Sequence, residues 1–145
     1  MNKIQELEME KLEINGLRMV GAIFKNSNLV EIKIEDTNLK GAKLRSTNLF
    51  KSRFHDVNME NSEIKNVNAH YITIIDTDLG DAEINDVNLS NANIKNINLS
   101  NTSINDADLT DVKIEEATIT GLFINGWDIE KLIEEASEKR EEKSD

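Results

Sequence analysis

Every fifth residue of the chain is apolar from Phe24 to Ile124. An α-helix buries positions three or four residues apart and a half-buried β-strand buries alternate residues, so neither produces a period of five. A chain with this period must turn within each five-residue unit and stack successive units into a solenoid. Only Ala69 is small among these central positions, and the others are isoleucine, leucine, phenylalanine or methionine.

A second inward position precedes each central residue by two places and is usually small or β-branched, as at Ala22, Thr47 and Val57. The residue between the two is polar in most units, and the remaining two positions favour asparagine, aspartate, glycine and serine. Those side chains bond to nearby backbone and tolerate the dihedral angles of a tight corner. Each unit therefore predicts a short strand with two inward side chains, followed by a turn.

Several units match a known repeat. Ser-Thr-Asn-Leu-Phe at 46–50, Asp-Val-Asn-Leu-Ser at 86–90 and Asp-Ala-Asp-Leu-Thr at 106–110 resemble the units of the pentapeptide-repeat proteins. The resemblance covers roughly residues 20–125. It implies an all-β fold, a right-handed quadrilateral β-helix with four units and twenty residues in each coil, and therefore about five coils.

The sequence divides into three parts on this interpretation. Residues 1–20 form an N-terminal cap or a degenerate first coil, residues 21–127 form the β-helix, and residues 128–145 form a C-terminal amphipathic helix with a charged tail. The ends of a solenoid need covering because an open coil exposes core side chains and unpaired strand edges.

The C-terminal segment is suited to that role. Asn125-Gly126 permits a sharp turn, Asp128 is a good helix N-cap, and the helix is expected to end near Glu142. We expect Trp127 to fill an inward slot and the helix either to cover its own coil end or to pair with a second copy. The residues of this candidate cap or dimer helix are Trp127, Ile129, Leu132, Ile133 and Ala136.

The position before the central residue is asparagine or aspartate in every second unit, as at Asn28, Asn38 and Asn48. With four faces per coil, alternate units fall on opposite faces. Two opposite faces should therefore carry ladders of amide side chains that bond to one another and to the turn backbone.

The net charge of −11 is concentrated toward the C-terminus. Residues 21–65 hold six acidic and eight basic side chains, a net +2, whereas residues 66–127 hold ten acidic and two basic, a net −8. Nucleic acid binding requires a basic surface that releases counterions, so we expect no direct nucleic acid contact. The candidate acidic surface comprises Asp76, Asp81, Asp86, Asp106, Asp111 and Glu116.

The sequence offers no group of residues for catalysis or cofactor binding. It contains no cysteine, and its two histidines, His55 and His70, are expected to be exposed at corners. It has no glycine-rich phosphate loop and no His or Cys cluster of the kind that binds metals. We therefore expect a non-enzymatic protein without a cofactor or metal.

Outward apolar side chains gather around one stacked slot, where Val30, Phe50 and His70 stand twenty residues apart. An exposed apolar strip on a small rod is typical of a protein interface, and scattered surface hydrophobes are the alternative interpretation. The candidate protein-contact strip comprises Val30, Phe50, His70, Tyr71 and Ile75.

The mixed charges and this strip favour a protein-binding or scaffold module whose partner the sequence does not identify. The family resemblance adds two expectations: a homodimer, because some relatives dimerise through C-terminal elements, and an alternative function as a DNA mimic. Such mimics bind DNA gyrase or a related topoisomerase and protect it against quinolone-type poisons. The chain shows no secretory signal and no apolar run that could span a membrane, so we expect a cytoplasmic protein without membrane contact.

Overall fold

A computed structural model describes residues 3–5 and 11–144 of the chain. They form a β-solenoid of about six turns with one short C-terminal helix. The solenoid has about one turn more than the repeats predicted, because strands ahead of residue 21 continue it. The rest of the expected N-terminal segment, at 1–2 and 6–10, lies outside the described residues.

Fourteen strands occur in the described part of the chain, and they form two sheets. The first sheet contains, in spatial order, β1 (Lys3–Gln5), β3 (Ile23–Lys25), β5 (Lys43–Asn48), β7 (Glu63–Asn68), β9 (Glu83–Asn88), β11 (Ser103–Asn105), β13 (Phe123–Ile124) and β14 (Trp127–Asp128). The second contains β2 (Glu13–Asn15), β4 (Lys33–Asn38), β6 (Arg53–Asn58), β8 (Thr73–Asp78), β10 (Asn93–Asn98) and β12 (Lys113–Thr118).

Neighbouring strands from β1 to β13 are parallel and offset by twenty residues, as where Leu44 lies beside Ile64. Residues 33–35 define the first face of the rod, 37–39 the second, 43–45 the third and 47–49 the fourth, together with their equivalents at twenty-residue spacing. Because each turn repeats this order, a residue's number gives its face directly.

The corners explain the polar composition of the repeats. Each six-residue strand bends at its fourth residue, where the backbone is left-handed, as at Asp36 (φ 48°) and Ser46 (φ 51°). At the other corners a four-residue turn is closed by a hydrogen bond such as Ala42 N to Leu39 O (2.9 Å), with Gly41 (φ 70°) at its third position. Asparagine, aspartate and glycine adopt this conformation at the lowest cost.

The central residues form four columns along the axis, and the predicted inward register is confirmed for most of them, although Ile114 is 39% exposed near the C-terminal end. Leu29, Leu39 and Leu79 are all buried. One column reads Leu29, Leu49, Ala69, Leu89, Leu109 along the fourth face. The missing bulk at Ala69 adjoins an apolar cavity of about 40 Å³.

Several of the second inward positions hold serine or threonine, and some of their hydroxyl groups bond to the backbone of a neighbouring turn. Ser52 Oγ donates to the Leu29 carbonyl (3.2 Å), and Thr102 Oγ1 donates to the Leu79 carbonyl (2.7 Å). Ser62 is also buried, but among the described residues its hydroxyl has no hydrogen-bond partner.

The C-terminal end differs from the expectation for Trp127. Asn125 (φ 48°) and Gly126 (φ 80°) form a two-residue turn, after which β14 runs antiparallel to β13. This reversal takes the chain out of the repeat register. The Trp127 side chain therefore does not fill an inward slot and is 64% exposed.

Helix α1 (Ile129–Ser144) follows the hairpin, and Asp128 Oδ1 accepts a hydrogen bond from Lys131 N (3.2 Å) as its N-cap. Ile129 packs against the core, whereas Leu132 and Ile133 are 40% and 52% exposed. The helix thus leaves much of its own apolar stripe uncovered.

Candidate protein-contact surface

Three aromatic side chains meet at the edge between the fourth and first faces. The Phe50 and His70 rings stack with centroids 5.7 Å apart, and the Tyr71 ring lies 4.2 Å from His70 and edge-on to Phe50 at 6.3 Å. Lys51 Nζ lies 5.3 Å from the centre of the Phe50 ring, within cation–π range. We call Phe50, His70 and Tyr71 the aromatic cluster.

Val30 and Ile75, the other two members of the predicted strip, flank this cluster. Val30 occupies the slot one turn before Phe50, and Ile75 lies across the first face in the column between His55 and Lys95. Both side chains are half-buried. The predicted strip is therefore three clustered rings with a flanking side chain on either side, and it is not a continuous apolar band.

Hydrogen bonds fix the orientation of His70. Its Nδ1 lies 2.9 Å from the Ser90 carbonyl oxygen and 2.6 Å from Ser90 Oγ. A carbonyl can only accept, and Ser90 Oγ donates its own proton to Asn88 Oδ1 (2.6 Å), so Nδ1 of His70 carries the proton. The ring is held against Phe50, and its other nitrogen is not used in these bonds.

Tyr71 occupies a corner position that suits other residue types. Its φ is 59°, in the left-handed region, and its side chain is 49% exposed. The equivalent positions one turn later and two turns later hold Asn91 and Asp111, whereas the three turns before it hold Lys51, Glu31 and Lys11, also at positive φ. A bulky side chain costs free energy in this conformation, and burial does not compensate for it here.

A groove of about 490 Å³ runs along the first face beside the aromatic cluster. The sequence pattern did not predict this groove. Its lining residues are Lys11, Glu13, Glu31, Lys33, Lys51, Ser52, Arg53 and Thr73. The twenty-residue period could have predicted it. Lys51 follows Lys11 by forty residues in one corner column, and Arg53 follows Lys33 by twenty residues on the first face. Lys51 and Arg53 are only two residues apart, so the two columns are adjacent.

The candidate acidic residues encircle the rod and do not form one surface. The reason is the repeat itself, which sends positions five residues apart to successive edges. Asp76 and Glu116 lie between the first and second faces, Asp81 between the second and third, Asp86 and Asp106 between the third and fourth, and Asp111 between the fourth and first.

Carboxylates on the edge between the first and second faces interact with one another. A hydrogen bond with Asp36 raises the pKa of the Asp56 carboxyl above its usual value. The next residue along this edge differs, because Asp76 accepts a hydrogen bond from Asn96 Nδ2 (2.6 Å) and lies 3.1 Å from His55 Nε2. These two contacts lower the pKa of Asp76, the bond from Asn96 contributing most.

The predicted amide ladders run along the second and fourth faces. Asn48 Nδ2 donates to Asn28 Oδ1 (3.0 Å), and Asn68 Nδ2 donates to Asn48 Oδ1 (3.3 Å). The same oxygen of Asn48 accepts from Phe50 N (3.1 Å), which fixes the turn that carries the aromatic cluster. The ladders are therefore structural, as expected.

No metal or membrane-spanning feature was found in the described residues. Over 3–5 and 11–144, no group of three or more His, Asp or Glu side chains could hold a metal ion. No helix of this part of the chain is long and apolar enough to cross a membrane.

The repeats of this chain match a known protein family. A model described as pentapeptide repeats matches residues 27–66 and 82–121 in eight copies, which is more than half of the chain. The chain belongs to the pentapeptide-repeat family. The resemblance seen in the sequence is thereby confirmed, and so is the β-helix that it implied.

Solved structures of pentapeptide-repeat proteins are similar to this one at low identity. A trypsin-treated variant of QnrB1, described as a plasmid-mediated fluoroquinolone resistance protein, is 18% identical over 83% of this chain and 72% of its own, with a TM-score of 0.43. A protein of the Arabidopsis thaliana thylakoid lumen is 20% identical over 74% of this chain and 64% of its own (TM-score 0.32). A protein of the cyanobacterium Cyanothece is 13% identical over 84% of this chain and 86% of its own (TM-score 0.31). No curated protein sequence matched.

Proposed function

We propose that this pentapeptide-repeat protein is a non-enzymatic protein-binding module that contacts its partner through the aromatic cluster. The observation that carries the proposal is Tyr71, whose large side chain stands exposed on a corner with φ 59°. Strained, exposed residues of this kind are concentrated at functional sites. Tyrosine is also among the residues that contribute most to the free energy of protein binding.

Affinity capture with the full chain tests this proposal. The variant Phe50→Ser/Tyr71→Ser removes two rings, and Leu17→Ser/Val20→Ser is the matched control because both of those side chains are exposed and apolar near the N-terminal end of the rod. We expect the amount of partner retained by the first variant to fall at least about tenfold, because each hot-spot residue contributes about 2 kcal/mol or more to binding. Equal retention by the first variant and the wild type would contradict the proposal.

We further propose that the protein forms a homodimer through its C-terminal end. Ile114 of β12 is 39% exposed there, and Trp127, Leu132 and Ile133 add further exposed apolar surface. Within the described residues β12 is also the last strand of its sheet, so its outer edge is unpaired. A second copy would bury both features, which a soluble monomer rarely exposes.

Light scattering of the full chain tests dimer formation. We expect twice the monomer mass for the wild type and for Phe50→Ser/Tyr71→Ser, and the monomer mass for Trp127→Ser/Leu132→Ser. A wild type that stays monomeric at high concentration, or a C-terminal variant that stays dimeric, would contradict this interface.

DNA mimicry is the second candidate function. The observation that favours it is the placement of acidic residues on all four edges of the rod between residues 66 and 127. Their net charge of −8 falls on about three turns, or about 15 Å at the usual strand separation. One charge per about 2 Å is close to the value for duplex DNA, about 1.7 Å.

A gyrase supercoiling assay distinguishes the two functions. If the rod mimics DNA, the purified protein inhibits supercoiling at micromolar concentration, salt weakens the inhibition, and Asp86→Asn/Asp106→Asn weakens it further. No inhibition by the wild type at low salt would exclude gyrase as the partner and leave the protein-binding proposal standing.

A further inference from the structure

We infer that the groove on the first face binds a short acidic segment of a partner protein, with the aromatic cluster holding the apolar side chains of that segment. The inference rests on the proposed protein-binding function and adds the chemistry of the partner. It depends on the groove's cations, its dimensions and its position beside the cluster.

The cations of the groove stand on neighbouring turns of one face. Lys33 and Arg53 are register partners on β4 and β6, and Lys51 occupies the corner next to them. Lys11 lies further along the corner column that contains Lys51. Four cations thus line one side of the rod within a few strand separations.

Most of these charges are available to a ligand. Lys33 pairs weakly with Glu13 at 3.8 Å, but no ion pair of the described residues involves Lys11, Lys51 or Arg53. Glu13 and Glu31 also line the groove, so four basic and two acidic side chains leave a net charge of +2. All six of these side chains are exposed.

Lys51 joins the groove to the aromatic cluster. Its ammonium group lies over the Phe50 ring at 5.3 Å, while its corner precedes Tyr71 by one turn in the same column. A ligand that bonds to Lys51 therefore lies beside the aromatic cluster, of which the Tyr71 side chain is exposed. This adjacency favours a ligand that carries both negative charge and apolar groups.

The size of the groove sets the length of the segment. The lining residues occupy four successive turns, which span about 14 Å at the usual strand separation. An extended peptide advances about 3.3 Å per residue, so about four or five residues cross the groove. A segment of that length with two or three carboxylates would offset the groove's net charge of +2.

Charge complementarity favours an acidic peptide over a nucleic acid. The groove is the basic part of a chain whose net charge is −11 and whose residues 66–127 carry −8. A long polyanion would continue onto that acidic half and be repelled. A short acidic segment ends within the groove and avoids most of that repulsion, because salt screens charges beyond about 8 Å.

Fluorescence anisotropy with the full chain tests the inference. The probe is a short fluorescein-labelled peptide of alternating glutamate and leucine, and its control has glutamine in place of glutamate. The test variant is Lys51→Gln/Arg53→Gln. The matched control, Lys43→Gln/Lys65→Gln, removes the same charge from the opposite, third face, where both lysines are exposed.

We expect the wild type and the third-face control to bind the glutamate peptide, and Lys51→Gln/Arg53→Gln to lose about tenfold or more in affinity. Binding should weaken as salt rises. Equal binding of the glutamine peptide, or an equal loss in both double variants, would overturn the inference. Tighter binding of a single-stranded oligonucleotide than of the peptide would also overturn it and would assign the groove to nucleic acid.

The same variants separate this inference from the proposed function. If Phe50→Ser/Tyr71→Ser abolishes partner capture while Lys51→Gln/Arg53→Gln retains it, the module binds protein but its partner is not recognised through acidic residues. If neither variant affects capture, the proposed function itself fails.

Discussion

At the scale of single residues, the repeat imposes two demands. A central side chain must fill the axis, and a corner residue must adopt positive φ, as Asp36, Gly41 and Ser46 do in successive units. The first demand is visible in the sequence as a five-residue period, and the second as the excess of asparagine and aspartate. Ala69 departs from the first demand, and Tyr71 departs from the preference for small polar corner residues, as Glu31, Lys51 and Glu116 also do.

The buried hydroxyl of Ser62 gives a prediction at this scale. The equivalent slots in neighbouring turns hold Ala42 and Ala82, and Ser62 Oγ has no bonding partner in the described part of the chain. Because an unsatisfied buried hydroxyl is costly, Ser62→Ala should raise the free energy of unfolding by about 1 kcal/mol. Urea denaturation measures the change.

Ser52→Ala is the matched control for that prediction. It removes a hydroxyl that donates to the Leu29 carbonyl, so it should lower the free energy of unfolding by about 1 kcal/mol. If both substitutions changed stability in the same direction, the assigned difference between the two hydroxyls would be wrong.

The cavity beside Ala69 gives a second prediction. Ala69→Val fills part of the 40 Å³ and should stabilise the fold by at most about 1 kcal/mol, at about 24 cal/mol for each Å³ of cavity. Ala82→Val is the control, because Ala82 is buried and does not line the cavity, and the extra methyl groups should destabilise there. Thermal unfolding of both variants measures the difference in Tm.

At the scale of elements, stacking makes each edge an electrostatic row. Asp36 and Asp56 are neighbours on one edge, and their hydrogen bond raises the pKa of Asp56. The contribution of Asp56 to the free energy of unfolding is therefore present below its ordinary pKa of 3.8 and is lost as pH rises through its folded-state pKa. Asp76, whose pKa is lowered, contributes above 3.8, and that contribution is lost as pH falls through its folded-state pKa.

Asparagine substitutions on this edge should therefore have opposite effects. Asp56→Asn should raise the stability at pH 7, because its amide can donate to Asp36 as Asn96 donates to Asp76, and the gain should vanish near pH 3. Asp76→Asn should lower the stability at pH 7, because its amide has one acceptor oxygen and no charge, whereas the Asp76 carboxylate uses two oxygens to contact Asn96 and His55. Urea denaturation at the two pH values checks both signs, and a gain for Asp56→Asn that persisted at pH 3 would contradict the role of carboxylate repulsion.

The strands and ladders could be predicted from the sequence because they repeat, whereas the ends could not. The Asp128 cap and the Asn125-Gly126 turn follow local rules and were found in advance. The position of Trp127 depends on where the chain leaves the coil. The five-residue period continues to Ile124, three residues before Trp127, and so gives no sign that β14 reverses direction there. The exposure of Leu132 and Ile133 likewise depends on the direction of the helix, which no local pattern specifies.

At the scale of the whole molecule, the twenty-residue period determines the position of each surface residue around the rod. This rule brought Phe50, His70 and Tyr71 together in the sequence and again in the structure. The same rule distributes the acidic residues over four edges, which their clustering in the sequence had obscured. The basic groove was missed because its cations are separated in sequence by about twenty residues and lie in a chain that is acidic as a whole.

We infer that Tyr71 occupies an unfavourable corner because its side chain binds a partner. The variant Tyr71→Asn tests this inference with two measurements, stability and partner retention. Asparagine suits φ 59°, so the variant should be more stable by about 1 kcal/mol, while partner retention in affinity capture should fall about tenfold. Higher Tm together with undiminished retention would contradict the account, because Tyr71 would then be a surface residue without a binding role.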